Sequence, residues 1–290
     1  MGAFLVWNTV WQGAVAALTG LAFTVLYRTV RFLDFGFAAA ALWGAYLAQW
    51  LVAAQGINVW YSSLLTIVVV ALGGVILHTI LYGSASEDNA LALPNLLSSL
   101  GAYLLLQNGL LLWLGPKNMS FFASSEMRAW RASGQGRDTL MVIAVLILLI
   151  ASATLKYTGI GLRMHAVGSS YSLARVRGMN VRVLSACATA LAYSLVSATA
   201  ILVAIDTNLQ PNMGFRSLMT GVVSCIVGGV TSVRGAVTAG FLLGAATQAI
   251  AWYLGPQWTE MFLLTLFVLA LLLRPTGILA AATEAKGLSV

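Results

Sequence analysis

The sequence predicts an all-α fold, a polytopic transmembrane helical bundle of eight or nine spans that forms a single domain over residues 1–290. Three observations carry this. The chain is 60% hydrophobic and 8% charged with a mean hydropathy of +0.91, whereas soluble domains are about 45–50% apolar and about 25% charged. Its apolar residues come in runs near the roughly 20 residues that cross a bilayer core as helix. No run alternates with the period of a barrel strand, and backbone in lipid must satisfy its own hydrogen bonds, which leaves helices.

Nine runs follow in order: 7–27, 35–54, 59–82, 90–114, 139–155, 183–205, 217–230, 236–254 and 257–273. Residues 1–7 lack a basic leader and the first run is too long for a signal-peptide core, so it is expected to remain as a helix. The seventh run is short and ends at Gly228-Gly229. It is therefore expected to be re-entrant, because broken backbone at membrane depth survives only where protein or a water-filled cavity satisfies it. Thr19-Gly20 with Gly44-Ala45 is echoed by Thr220-Gly221 with Gly244-Ala245, which raises an internal repeat with a pathway between its halves. Cys187 and Cys225 both lie inside apolar runs, without metal-site spacing, and read as small packing residues.

The net charge of +7 does not indicate nucleic acid, because the cations lie in short segments between runs, where they set topology. Segment 156–182 carries Lys156, Arg163, Arg175, Arg177 and Arg182 and no acid, which places it in the cytoplasm. Alternation through nine spans then puts the N-terminus outside and the C-terminus inside, with ten Lys/Arg inside and five outside. The basic loop 116–138 is the exception to this bias.

Nothing in the chain reads as catalytic. His78 and His165 lack metal-site spacing, and none of Lys117, Lys156 and Lys286 follows a glycine, so there is no P-loop. No cofactor is expected in this chain. The two deepest acids, Asp34 and Asp206, stand at span ends, where a helix cap or interface role competes with a place on a solute path. The mid-span amides Gln107 and Asn108 suit helix packing and solute contact equally. Gly228, Gly229, Gly235, Gly240 and Gly244 indicate close helix approach first and solute contact second, and Ser98, Ser99 and Ser197 read as interhelical hydrogen-bonders.

Segment 157–182 is too long for a connector between neighbouring helices. Met164, Val167, Leu173, Val176 and Met179 recur at helical spacing with Arg163, Arg175 and Arg177 around them. A short amphipathic helix at the cytoplasmic face is expected, either anchored on anionic membrane lipid or docking a soluble partner.

The same segment, through Gly161-Leu162-Arg163, Ala166-Val167-Gly168 and the stretch 174–180 (Ala-Arg-Val-Arg-Gly-Met-Asn), resembles the cytoplasmic coupling segment of the branched-chain amino acid permease family of ABC importers. Further matches run in order along nearly the whole chain: Phe35-Gly36 before Gly44-Ala45-Tyr46, Gly101 with Gln107 and Leu114-Gly115-Pro116, Pro211-Asn212-Met213-Gly214, Gly228-Gly229 with Gly235-Ala236, and Arg274-Pro275-Thr276-Gly277. The resemblance implies a transmembrane permease domain in the bacterial cytoplasmic (inner) membrane, importing amino acids at the expense of ATP. It implies as partners a second homologous permease, two cytoplasmic ABC ATPases that hold ATP and Mg, and a periplasmic or extracellular solute-binding protein. It assigns ATPase coupling to Arg163, Ala174, Arg175, Val176, Arg177 and Gly178, and a place near the substrate pathway to Asp34, with Gln107, Asn108, Gly228 and Gly229 as further pathway candidates. Where many relatives have an Asn-Phe-Ala-His-Gly stretch, this chain has Asp34-Phe35-Gly36-Phe37-Ala38. That departure leaves other amino acids, urea and short amides open as solutes. A stand-alone carrier or channel is the rival of another class, and the scarcity of mid-span ionisable residues counts against it. An intramembrane enzyme would need a nucleophile with a base or a metal cluster, and the sequence offers neither.

Overall fold

The computed structural model describes residues 2–81, 92–115, 119–121, 135–169, 174, 176–230 and 232–273. Ten helices form along them: α1 Gly2–Val30, α2 Gly36–Gln55, α3 Val59–Leu81, α4 Ala92–Leu114, α5 Gln135–Tyr157, α6 Gly159–Ser169, α7 Val181–Thr207, α8 Met213–Gly228, α9 Val233–Tyr253 and α10 Gln257–Leu273. Among the described residues no strand forms; Met119 and Leu209 make an isolated antiparallel bridge. Each of the nine apolar runs is a helix, and seven of the helices are long and apolar enough to cross a membrane. The two shorter ones are α8, with 16 residues, and α10, with 17.

Helices α1 and α7 are the core, 78% and 72% buried over their most apolar windows, whereas α3, α4 and α5 are 22%, 17% and 22% buried. What the outer helices expose is apolar: Leu64, Leu65, Val68 and Leu72 on α3, and Val142, Leu146, Leu149 and Ile150 on α5. A bilayer tolerates such faces, since lipid tails are as apolar as leucine.

Close approach between helices comes from small residues. A Cβ at Gly240 would collide with the backbone of Ala17, and one at Gly244 with Gln12 and Gly13, so α9 lies directly on α1. Gly228 and Gly235 exclude each other's Cβ in the same way at the α8–α9 turn. That is the packing role expected of these glycines.

Helix α8 is unbroken. Its N-terminus stands beside that of α10, where Asn212 Nδ2 donates to Glu260 at 3.1 Å, and its other end meets the start of α9. It runs along α1 in one piece, with Gly20 against Ser224 and Gly221 against Thr19 and Phe23. At 1.5 Å per residue, 16 residues extend about 24 Å. The glycine pair breaks no helix within the span. It ends α8, with Gly229 at φ 93° turning the chain into α9.

Following the helices end to end separates the charges. At one end lie Asp138, Asp206 and Glu260 with Arg137 and Arg216, tied by Trp7 Nε1 donating to Asp138 at 2.8 Å and by the Arg137–Asp206 ion pair at 3.1 Å. At the other lie Arg28, Arg31, Lys156, Arg163, Arg177, Arg182 and Arg234, and the one described acid on that side is Asp34, buried in the link that follows Arg31. Arg175, Leu173, Lys117, Arg128, Arg131, Lys286 and the 274–277 motif lie outside the described residues. Cys225 is buried as a packing residue should be, while Cys187 is exposed on α7.

Candidate functional site

Between α1 and α2 the helix breaks inside the bundle. Arg31 takes φ 59°, a left-handed turn, and the chain resumes helix at Gly36. In this link Asp34 is fully buried. Its Oδ1 accepts from the Gly36 N–H at 2.8 Å and its Oδ2 from the Tyr193 hydroxyl at 2.8 Å. One residue on, the Phe35 N–H donates to Ser99 Oγ at 3.2 Å. A short link thus fastens α2, α4 and α7 together. Burial of a carboxyl group is costly without such donors, and bonds to it together with the N-terminal dipole of α2 offset the cost. A Cβ at Gly36 would strike the Tyr193 hydroxyl, and one at Gly74 would stand 2.7 Å from Tyr193 Cδ2. The tyrosine ring is therefore clasped by glycines of two helices. Asp34 acts as the helix-end acid expected of its position and, in addition, as a long-range tie.

The remaining pathway candidates lie apart from it. On the outer helix α4, Gln107 is half-buried and Asn108 is exposed, the latter donating to Leu104 O at 2.7 Å within its own helix. Gly228 and Gly229 are buried at the α8–α9 turn. Asp206, also a span-end acid, is held by Arg137.

A cavity of about 180 Å³ opens near the acidic end between α1, α7, α8, α9 and α10, and its polar lining includes Gln12, Thr19, Asn208, Gln210, Arg216 and Thr220. It is large enough for several water molecules or a small solute. The sequence reading passed over these residues. Gln12 could have been found as the one amide well inside the first run, whereas Arg216 looked like a loop charge until α8 proved to begin at Met213.

At the basic end, α6 packs Met164 and Val167 inward and leaves Leu162 and Arg163 exposed. Val167, Ala174 and Val181 form a small cluster that seats the segment on α7, and Arg31 Nη2 donates to Gly168 O at 2.9 Å, seating it on α1. The short amphipathic helix expected here is α6. Helix α6 has 11 residues, and the chain turns at Arg177-Gly178, with Gly178 at φ 74°. Val176, which helical spacing put on the apolar stripe, is 84% exposed. Arg163, Val176, Arg177 and Gly178 are thus surface residues while Ala174 is buried.

Comparison with known proteins gives one family and one fold. The family model described as branched-chain amino acid transport system, permease component, matches residues 5–271. The high-affinity branched-chain amino acid transport system permease protein LivH of Salmonella typhimurium is 23% identical over 94% of this chain and 93% of its own. Protein BraD of Pseudomonas aeruginosa, a permease protein of the same kind of system, is 24% identical over 94% of both. In fold, the chain resembles PsaBC from Streptococcus pneumoniae, solved in complex with Fab, at a TM-score of 0.53 and 14% identity over 93% of this chain and 92% of that one.

Proposed function

The chain belongs to the family of permease components of branched-chain amino acid transport systems, a multi-pass membrane protein and not an enzyme, and from that premise we propose that it is one membrane subunit of an ATP-driven amino acid importer. Branched-chain amino acids are the first solutes to test, with urea and short amides after them. Its partners would be a second homologous permease, two ATPase subunits carrying ATP and Mg, and a solute-binding protein outside the bacterial inner membrane.

The observation that carries the proposal is the exposed, cation-rich turn at the basic end, where Arg163, Val176 and Arg177 project from a segment anchored to two core helices. Apolar side chains ringed by positive charge suit a partner-docking surface. The charge separation supports placing that end in the cytoplasm, the acidic end with its small cavity outside, and all nine apolar helices across the bilayer. Reciprocal packing of α1 on α9 and of α2 on α8 favours the internal repeat.

Coupling would then run through contacts already described. Helix α6 grips α1 through Arg31 and α7 through Val167, and both core helices line the acidic-end cavity. A displacement of α6 driven by ATP on the partners would reset that cavity between outward-open and inward-open packings. Two ligands favouring different packings, ATP on one side and the loaded binding protein on the other, are sufficient for such a switch.

The test is purification with whatever travels with the tagged chain, then uptake of labelled leucine into liposomes with ATP enclosed on the ATPase side. Uptake requiring both ATP and binding protein is the expected result. Uptake by the chain alone would make it a carrier.

A further inference from the structure

A second and larger cleft, about 1,040 Å³, opens at the basic end between the last turns of α5, the start of α6 and the first turns of α9. Its walls are apolar, with Leu149 and Ala153 from α5, Leu162 from α6 and Val237 from α9. Its charged lining residues are Arg28, Lys156 and Arg234, and no acid lines it. Two guanidinium nitrogens of Arg28, Nε and Nη2, are buried without a hydrogen-bond partner among the described residues. Buried donors on a charged group are costly to leave unpaired, so this arginine calls for an anion, and no acid lines the cleft to supply one.

The shape of the cleft narrows the choice of anion. A free phosphate would satisfy the cations but leave the leucine and valine walls in water. A zwitterionic headgroup would bring its own ammonium into a site that already holds three cations. The cleft also lies at the ends of α5 and α9, helices long and apolar enough to cross a membrane, which is the depth at which headgroups sit. Basic pockets between membrane helices are suited to anionic lipid headgroups.

We propose that this cleft binds one anionic glycerophospholipid, with its phosphodiester on Arg28, Lys156 and Arg234 and its acyl chains along α5 and α9. A lipid held there would join α5 and α6 to α9. The inference does not depend on which solute the chain carries.

The full chain, purified with its native partners and stripped of lipid in detergent, is titrated with phosphatidylglycerol, phosphatidylcholine or glycerol 3-phosphate. Bound lipid is read by native mass spectrometry and the thermal midpoint alongside it. One phosphatidylglycerol per chain with a saturable rise in midpoint is expected, and little response to the other two. Substituting both exposed cations, Lys156→Gln with Arg234→Gln, should weaken that binding at least about tenfold, since each cation near an anionic headgroup is worth about fivefold. Arg28→Gln should abolish it, and the exposed pair keeps the test valid if that variant does not fold. An equal response to phosphatidylcholine or to glycerol 3-phosphate, or unchanged binding in the double variant, would overturn the proposal.

Discussion

Tyr193, midway along α7, donates its hydroxyl hydrogen to Asp34 Oδ2 at 2.8 Å across 159 positions of sequence, closing the break between α1 and α2 against the core. Removing that hydroxyl leaves a buried carboxyl oxygen with one donor fewer. Tyr193→Phe should therefore lower stability by about 1–3 kcal/mol. In a double-mutant cycle with Asp34→Ala, Tyr193→Phe should cost little once the acid is gone. Additive losses in the thermal midpoints would show that the bond contributes nothing, and that Asp34 acts through Gly36 alone.

How much of this was legible in the sequence depends on what each feature rests on. Hydropathy reports burial in lipid, so all nine helices could be read from the runs. Asp34 could be singled out as a deep acid at a helix start, because carboxyl groups are expensive there. Its partner could not, since nothing near Asp34 points to a tyrosine on the sixth run. Helical periodicity places Met164 and Val167 inward, as the structure has them, but extended along the whole segment it also places Val176 inward, and that residue is exposed. The Gly228-Gly229 pair marks the end of α8 and its close approach to α9, which a glycine pair signals as readily as a broken helix.

Neighbouring glycines of α3 separate packing from propensity. A Cβ at Gly73 meets nothing within 4 Å, whereas one at Gly74 stands 2.7 Å from Tyr193 Cδ2. Gly73→Ala should be neutral or stabilise by up to about 1 kcal/mol through helix propensity. Gly74→Ala should cost about 1–3 kcal/mol, as overpacking does, and should disturb the Tyr193–Asp34 bond. Detergent melting curves of the two single variants suffice, and equal midpoints would contradict the clasp.

The separation of charge between the two ends sets an orientation that labelling can read. In a background with Cys187→Ser and Cys225→Ser, Glu260→Cys should react with a membrane-impermeant maleimide in intact cells. Arg177→Cys should react only after permeabilisation. The reverse pattern would invert the topology and move the acidic-end cavity to the cytoplasmic side.

Arg163 and Arg177 are exposed cations of the basic end, and surface substitutions away from packed features rarely shift stability by more than about 0.5 kcal/mol. Replacing both with Glu should therefore leave insertion and melting unchanged. If the segment docks an ATPase, the same change reverses charge at a rim of the interface, which slows association and weakens the complex. The expected outcome is loss of ATPase from the purified assembly and a fall in ATP-dependent uptake of at least tenfold, with binding of the loaded solute-binding protein retained. Partial loss that high salt fails to relieve would point instead to Val176, whose apolar side chain projects from the same turn, and Val176→Asp would then give the larger defect. Full ATP-driven uptake in both variants would remove the coupling role from this segment and leave α6 as an anchor of α1 and α7 alone.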